Sequence, residues 1–87
     1  MTKLLKFYGT YCAPCKQLHK IIESAQLPVP VENICIEDAD DEILTKYQIK
    51  GVPVLILLDE NENVLWKHVG MISADQLIQK INDHVSC

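Results

Sequence analysis

Apolar residues fall along the chain in short blocks, and the spacing inside each block predicts an element. Leu4, Leu5, Phe7 and Tyr8 crowd the segment from Lys3 to Tyr8, which stops at Gly9 and reads as a strand. Leu18, Ile21, Ile22 and Ala25 then follow the i, i+3, i+4, i+7 spacing of one helix face. Pro14 suits the first turn of that helix, where a missing N–H costs nothing, and Pro28 and Pro30 mark its end. VENICI, from Val31 to Ile36, is the next strand. A short helix follows with Ile43, Leu44 and Tyr47 on its apolar face, closed at Lys50–Gly51. Val52 to Leu58 is a continuous apolar run of strand length. The polar turn DENEN, 59 to 63, joins it to VLWKHV, 64 to 69, which makes the pair an antiparallel hairpin. Ser73 and Gln76 form a capping box for a last helix with Leu77, Ile78, Ile81 and Val85 as its stripe.

The predicted order is β-α-β-α-β-β-α. The first strand–helix–strand unit requires a right-handed parallel crossover, and the hairpin adds antiparallel strands to the same sheet. The expected fold is therefore α/β, a four-stranded mixed sheet with helices on both faces, in a single domain over residues 1–87. Strand alternation puts Leu5 and Phe7 on one face of the first strand and Leu4, Lys6 and Tyr8 on the other. Lysine on a strand covered from both sides is anomalous, and its long stem would let the ammonium reach the rim.

Composition narrows the function. With 48% hydrophobic and 23% charged residues in 87, the chain suits a compact core. All cations are lysines, and they are scattered in a chain of net charge −4, so neither nucleic acid nor an anionic membrane is an expected partner. The N-terminal apolar stretch is too short and interrupted for a signal peptide, and no run reaches the ~20 residues of a membrane span. A cytoplasmic monomer is the expectation. The acidic stretch Glu37, Asp38, Asp40, Asp41, Glu42 reads as a solvated loop whose carboxylates complement the following helix dipole.

Four cysteines stand at 12, 15, 35 and 87, and only the first two are close. One close pair is too few for a structural zinc site, so no metal and no cofactor is expected. Cys35, inside a strand, reads as a small buried apolar residue, and Cys87 as a terminal thiol. Cys12-Ala13-Pro14-Cys15 follows a strand and opens a helix. Thiols three apart on a helical turn can form or break a bond with little backbone movement. At the helix N-terminus, unpaired N–H groups and the dipole favour the Cys12 thiolate. Cys15, one turn in, should be more buried and suited to resolve a mixed disulfide. Tyr11 and Pro14 would flank the sulfurs. His19 would be a solvated side chain with nothing titratable beside it, and Trp66 a packing residue.

FYGTYCAPCKQL resembles the active-site segment of thioredoxins, and KYQIKGVPVLILL resembles the family's second signature. The resemblance runs from about Leu4 to about Val85 and lacks the extra N-terminal strand and helix of full-length thioredoxins. It implies a minimal thioredoxin fold and a dithiol reductant of protein disulfides, itself re-reduced by a thioredoxin reductase or similar donor. Cys12 is similar to the family's nucleophile and Cys15 to its resolving thiol. Pro53 matches a cis-proline that faces the disulfide, with Val52 offering its backbone to an extended substrate segment. Gly70 matches a glycine that lets substrate approach. The alternatives are a glutaredoxin-like, glutathione-coupled enzyme and a non-catalytic thioredoxin-fold binding module. Three positions depart from the pattern: Tyr11 stands for the usual tryptophan, Ala-Pro for Gly-Pro, and Lys6 for a buried acid whose partner lysine is replaced by Ile34. Lys6 is accordingly a candidate for tuning the thiol pKa by its charge.

Overall fold

The computed structural model describes residues 2–85, so Cys87 lies outside the described residues. The chain order is β1 (Lys3–Tyr8), α1 (Ala13–Ala25), β2 (Val31–Cys35), α2 (Asp41–Lys46), β3 (Val54–Leu58), β4 (Val64–Val69) and α3 (Ala74–Val85). The strands form one mixed sheet in the order β2-β1-β3-β4. β1 runs parallel to β2, with Leu4 opposite Val31 and Tyr8 opposite Cys35. It runs antiparallel to β3, with Lys6 opposite Leu55, and β3 pairs antiparallel with β4 across the hairpin. That turn is held by the Asp59 carboxylate, which accepts the backbone N–H groups of Asn61 and Asn63 at 2.9 and 2.8 Å.

Period-two alternation divides the core. Leu4, Leu55 and Leu57 face one way and pack with Leu18 and Ile22 of α1 and Leu77 and Ile81 of α3. Leu5, Phe7, Val54, Ile56 and Leu58 face the other way and pack with Tyr47, Ile43 and Leu44. Covered on both sides, β3 buries all five of its residues, which is why it reads as an unbroken apolar run rather than an alternating one. Each large apolar side chain removed fully from water contributes about 1.5–3 kcal/mol. Lys6 is the exception in this arrangement: it lies on the Leu4 face and is only 3% exposed.

Several boundaries differ from the sequence pattern. α1 ends at Ala25, before either proline, because Gln26 adopts the left-handed conformation that closes a helix (φ 50°). α2 ends at Lys46 rather than at Lys50–Gly51, with Gln48 left-handed (φ 54°). The Lys67 ammonium of β4 donates to the Tyr47 and Gln48 carbonyls at 2.9 and 3.1 Å, placing a cation where the helix dipole is negative. β3 starts at Val54, since Val52 and Pro53 form a bend outside the ladder. β2 stops at Cys35, one residue short of Ile36. Ser73 does cap α3, its hydroxyl accepting the Gln76 N–H at 3.3 Å. Val85, the last residue of the expected stripe, is exposed.

Candidate active site

The β1–α1 turn delivers Cys12 to the start of α1 with extended backbone (φ −120°, ψ 103°), so that Cys12 is itself the helix N-cap. Its Sγ accepts the Cys15 N–H at 3.1 Å, and the two sulfurs are joined in a disulfide. Pro14 lies in the first turn, where its missing donor is not needed. Cys12 is half-buried, while Cys15 is only 5% exposed, so one face of the disulfide meets solvent and the other the interior. No acidic residue occupies the first turn of α1, whereas α2 begins with Asp41 and Glu42 and α3 carries Asp75.

Three further residues gather around the Cys12 side. A Cβ placed on Gly9 would lie 3.4 Å from Val52 Cγ2 and 3.9 Å from the Cys12 Cβ, which sets the Val52 bend against the cysteine turn. The Val52–Pro53 peptide bond is cis. The Pro53 carbonyl accepts the Gly70 N–H at 2.9 Å, tying the end of β4 to the same bend. Gly70 has φ +95°, a conformation that other residues adopt only with strain. Val52 is thus set beside the Cys12 turn, and Gly70 is joined to the neighbouring Pro53. Tyr11 behaves differently. It is 98% exposed and covers neither sulfur, because the turn before α1 aims its ring at solvent. Exposed Val69 and Met71 flank Gly70 in the chain.

On the Cys15 side lies a cavity of ≈ 760 Å³ between α1 and the β1–β2 edge, shared by Cys15, Lys6, His19, Glu23 and Cys35. The Lys6 ammonium does not reach the rim. It meets Nδ1 of His19 at 2.5 Å, and His19 Nε2 meets the Glu23 carboxylate at 2.9 Å. His19 is therefore not isolated. It lies one helical turn from Glu23 and directly above a buried lysine, two relations that span 4 and 13 residues of chain. Burial pushes the Lys6 pKa below its ordinary value, and the Glu23 charge pulls in the opposite direction.

Two other contacts bear on the turn. Thr10 donates both its backbone N–H (2.9 Å) and its hydroxyl to Glu37, fastening the residue two before Cys12 to the end of β2. These bonds hold the Glu37 carboxyl below the usual carboxylate range. Glu37 is thus more than part of a solvated acidic stretch. Cys35 is half-buried rather than buried, with its Sγ 4.0 Å from both the Thr10 hydroxyl and the Glu37 carboxylate. Thr10, Glu37, His19 and Glu23 are the neighbours that sequence reasoning missed. Only the i, i+4 spacing of His19 and Glu23 carried a local signal.

The family model "Thioredoxin" matches residues 1–83. Thioredoxin of Chlamydia trachomatis is 30% identical over 93% of this chain and 80% of its own length. Thioredoxin of Rickettsia bellii is 33% identical over 94% of this chain and 80% of its own. Among solved structures, a mutant thioredoxin from Halobacterium salinarum superposes with a TM-score of 0.85 at 27% identity, covering 95% of this chain and 74% of that one. The chain belongs to the thioredoxin family, in a minimal α/β form of its fold. Its activity is thiol–disulfide exchange in the direction of protein-disulfide reduction, which requires a disulfide-bearing substrate and a donor that restores the dithiol. No helix of the described residues is long and apolar enough to cross a membrane.

Proposed function

We propose that Cys12 attacks the substrate disulfide and Cys15 resolves the mixed disulfide that results. The carrying observation is the unequal setting of the two sulfurs: Cys12 caps α1 at the surface, and Cys15 is buried one turn in. In the reduced protein the N–H groups of the first turn favour the Cys12 thiolate, and no carboxylate in that turn competes for them. Thiolate attack gives a Cys12–substrate disulfide and releases the substrate's other sulfur. Cys15 then attacks Cys12 Sγ and expels the second substrate thiolate.

Val52, Pro53 and Gly70 form the ledge on which an extended substrate segment lies, with Val52 supplying strand-like backbone bonds. Pro14 shapes the helix side of that ledge, and the fully exposed Tyr11 adds its ring to the docking surface. Lys6 adds a cation beneath the thiols, which favours their ionised forms. The reading includes a cytoplasmic monomer re-reduced by a thioredoxin reductase, with no cofactor of its own. Insulin-disulfide reduction tests it, driven in parallel by a thioredoxin reductase with NADPH and by glutathione. Turnover with the reductase is expected. Turnover with glutathione alone would make the chain glutaredoxin-like, and turnover with neither would make it a binding module.

A further inference from the structure

We propose that Glu37 sets the substrate preference of Cys12, favouring disulfides with a cationic group beside the sulfurs over disulfides flanked by an anion. The proposal rests on the reading of Cys12 given above as the attacking thiol. It gives that thiol a substrate class: disulfides with a lysine or arginine next to the cystine.

The observations meet in the space above Gly9. A Cβ built there would lie 3.4 Å from Val52 Cγ2, 3.5 Å from Glu37 Oε1 and 3.9 Å from Cys12 Cβ. The carboxylate, the attacking cysteine and the bend beside it thus all lie within 4 Å of one point. The carboxylate oxygen is therefore no more than two such lengths from Cys12 Cβ. Over that range solvent weakens the interaction of two charges without removing it.

Glu37 is held in this place. The Ile36 N–H donates to the Tyr8 carbonyl at 2.9 Å, so the chain still runs beside the end of β1 when it reaches Glu37. The carboxylate accepts the Thr10 N–H at 2.9 Å and the Thr10 hydroxyl. Those two donors favour the ionised form and stop the side chain from swinging away. A carboxylate has about four acceptor positions, so Thr10 leaves room for an incoming ammonium or guanidinium. Glu37 is exposed, and among the described residues it forms no salt bridge with a lysine. The other charges near the cysteines lie elsewhere. Lys6, Lys16 and Asp38 line the cavity on the Cys15 side, and Lys50 lies with Asp41 and Gln48 beside α2.

In the step itself the Cys12 thiolate bonds to one substrate sulfur, and the other sulfur leaves with the S–S electron pair. A cation beside those sulfurs is attracted by Glu37, and an anion is repelled. The thiolate adds a preference of the same sign, so removing Glu37 reduces the preference without abolishing it. The carboxylate also disfavours the thiolate, so a neutral disulfide should react slightly faster once its charge is gone.

The test mixes the reduced chain separately with cystamine, hydroxyethyl disulfide and dithiodiglycolate, which are cationic, neutral and anionic. Acid quenching and mass spectrometry give the three rates. At low ionic strength Glu37→Gln should lower the cystamine-to-dithiodiglycolate rate ratio about fivefold and raise the hydroxyethyl disulfide rate by about twofold or less. Glu37→Lys should lower the ratio further, and added salt should bring the wild-type ratio toward that of Glu37→Gln. Glu62→Gln removes the same charge from the hairpin turn at the far end of β3, and should keep the wild-type ratio. A Glu37→Gln protein with the wild-type ratio overturns the proposal. So does equal slowing with all three disulfides, which marks a structural role, or an equal fall in the ratio with Glu62→Gln, which marks net charge alone. A Cys12→Ser chain that reacts as fast as wild type, or a wild-type chain that reacts with none of the three, refutes the reading of Cys12 and the preference with it.

Discussion

Two helices of this molecule begin in the same way and to different ends. α3 is capped by Ser73, whose hydroxyl accepts the N–H of the residue three positions on, and Asp75 sits in its first turn. α1 is capped by Cys12, whose sulfur accepts the N–H of the residue three positions on, and its first turn holds no acid. At α3, the hydroxyl and carboxylate spend the terminal N–H groups and the dipole on holding the helix. At α1 the same groups are left to a sulfur, a weaker acceptor when neutral or oxidised and a strong one as a thiolate. A helix start becomes reactive here by withholding the ordinary capping chemistry. The acids of α2 and α3 show that the chain uses carboxylates freely elsewhere.

The sharpest way to break that comparison is to make the two caps chemically alike. Cys12→Ser turns the start of α1 into a serine cap like that of α3. Disulfide-reductase activity should fall by at least about 10³-fold, while the reduced fold retains its stability, since serine is a favoured cap. Cys15→Ser keeps the attacking sulfur and removes the resolving one, so mixed disulfides should accumulate on Cys12. Mass spectrometry after mixing with a protein disulfide reads both outcomes. A stable adduct on Cys15 in the Cys12→Ser protein would reverse the assigned roles.

The reciprocal change tests the structural cap alone. Ser73→Ala should cost about 1 kcal/mol in urea unfolding and leave the thiol titration untouched. A smaller effect is expected from returning an acid to α1. Ala13→Asp puts a carboxylate in the first turn, where it is worth about 0.3–1 kcal/mol to a helix and the same amount against a neighbouring thiolate. The oxidised protein should be as stable as wild type or more so, and the Cys12 attack rate at neutral pH should fall about two- to fivefold. Should the attack rate stay unchanged, the vacancy of acids in that turn would have no bearing on reactivity.

How much of this was visible in the sequence follows from the range of each interaction. Periodicity is local, so all seven elements, the two faces of β1 and the pairing of the hairpin could be read from it. The CxxC spacing and the capping box are also local, and so Cys12, Cys15 and Ser73 were found. Helix ends were misread where closure depends on a left-handed glutamine, Gln26 or Gln48, since that residue type gives no warning. Lys67 completes the end of α2 from 20 residues away, a distance at which pattern says nothing. Lys6 was legible as an anomaly on a buried strand, but not its partner. His19 lies 13 residues on, and only the packing of α1 over β1 brings the two together.

The smallest effect expected concerns the turn that precedes α1. α3 begins on its own Ser73 cap, whereas the approach to Cys12 is tied to the end of β2 by two hydrogen bonds from Thr10 to Glu37. Those bonds favour the ionised carboxyl, so its pKa is depressed in the folded state. Between the depressed and the ordinary value the unfolded chain binds more protons than the folded one. The stabilisation from the ionised form is thus fully present above the ordinary carboxylate range and is lost as pH falls through the depressed value. Glu37→Gln should therefore lower the melting temperature slightly at neutral pH, and the gap from wild type should close as the solution is made more acidic than that range. The side chain is open to solvent, so the gap should also shrink with added salt. A gap that persists unchanged at low pH would mean that the amide fails Thr10 for reasons of shape, and that the charge on Glu37 does not hold the turn.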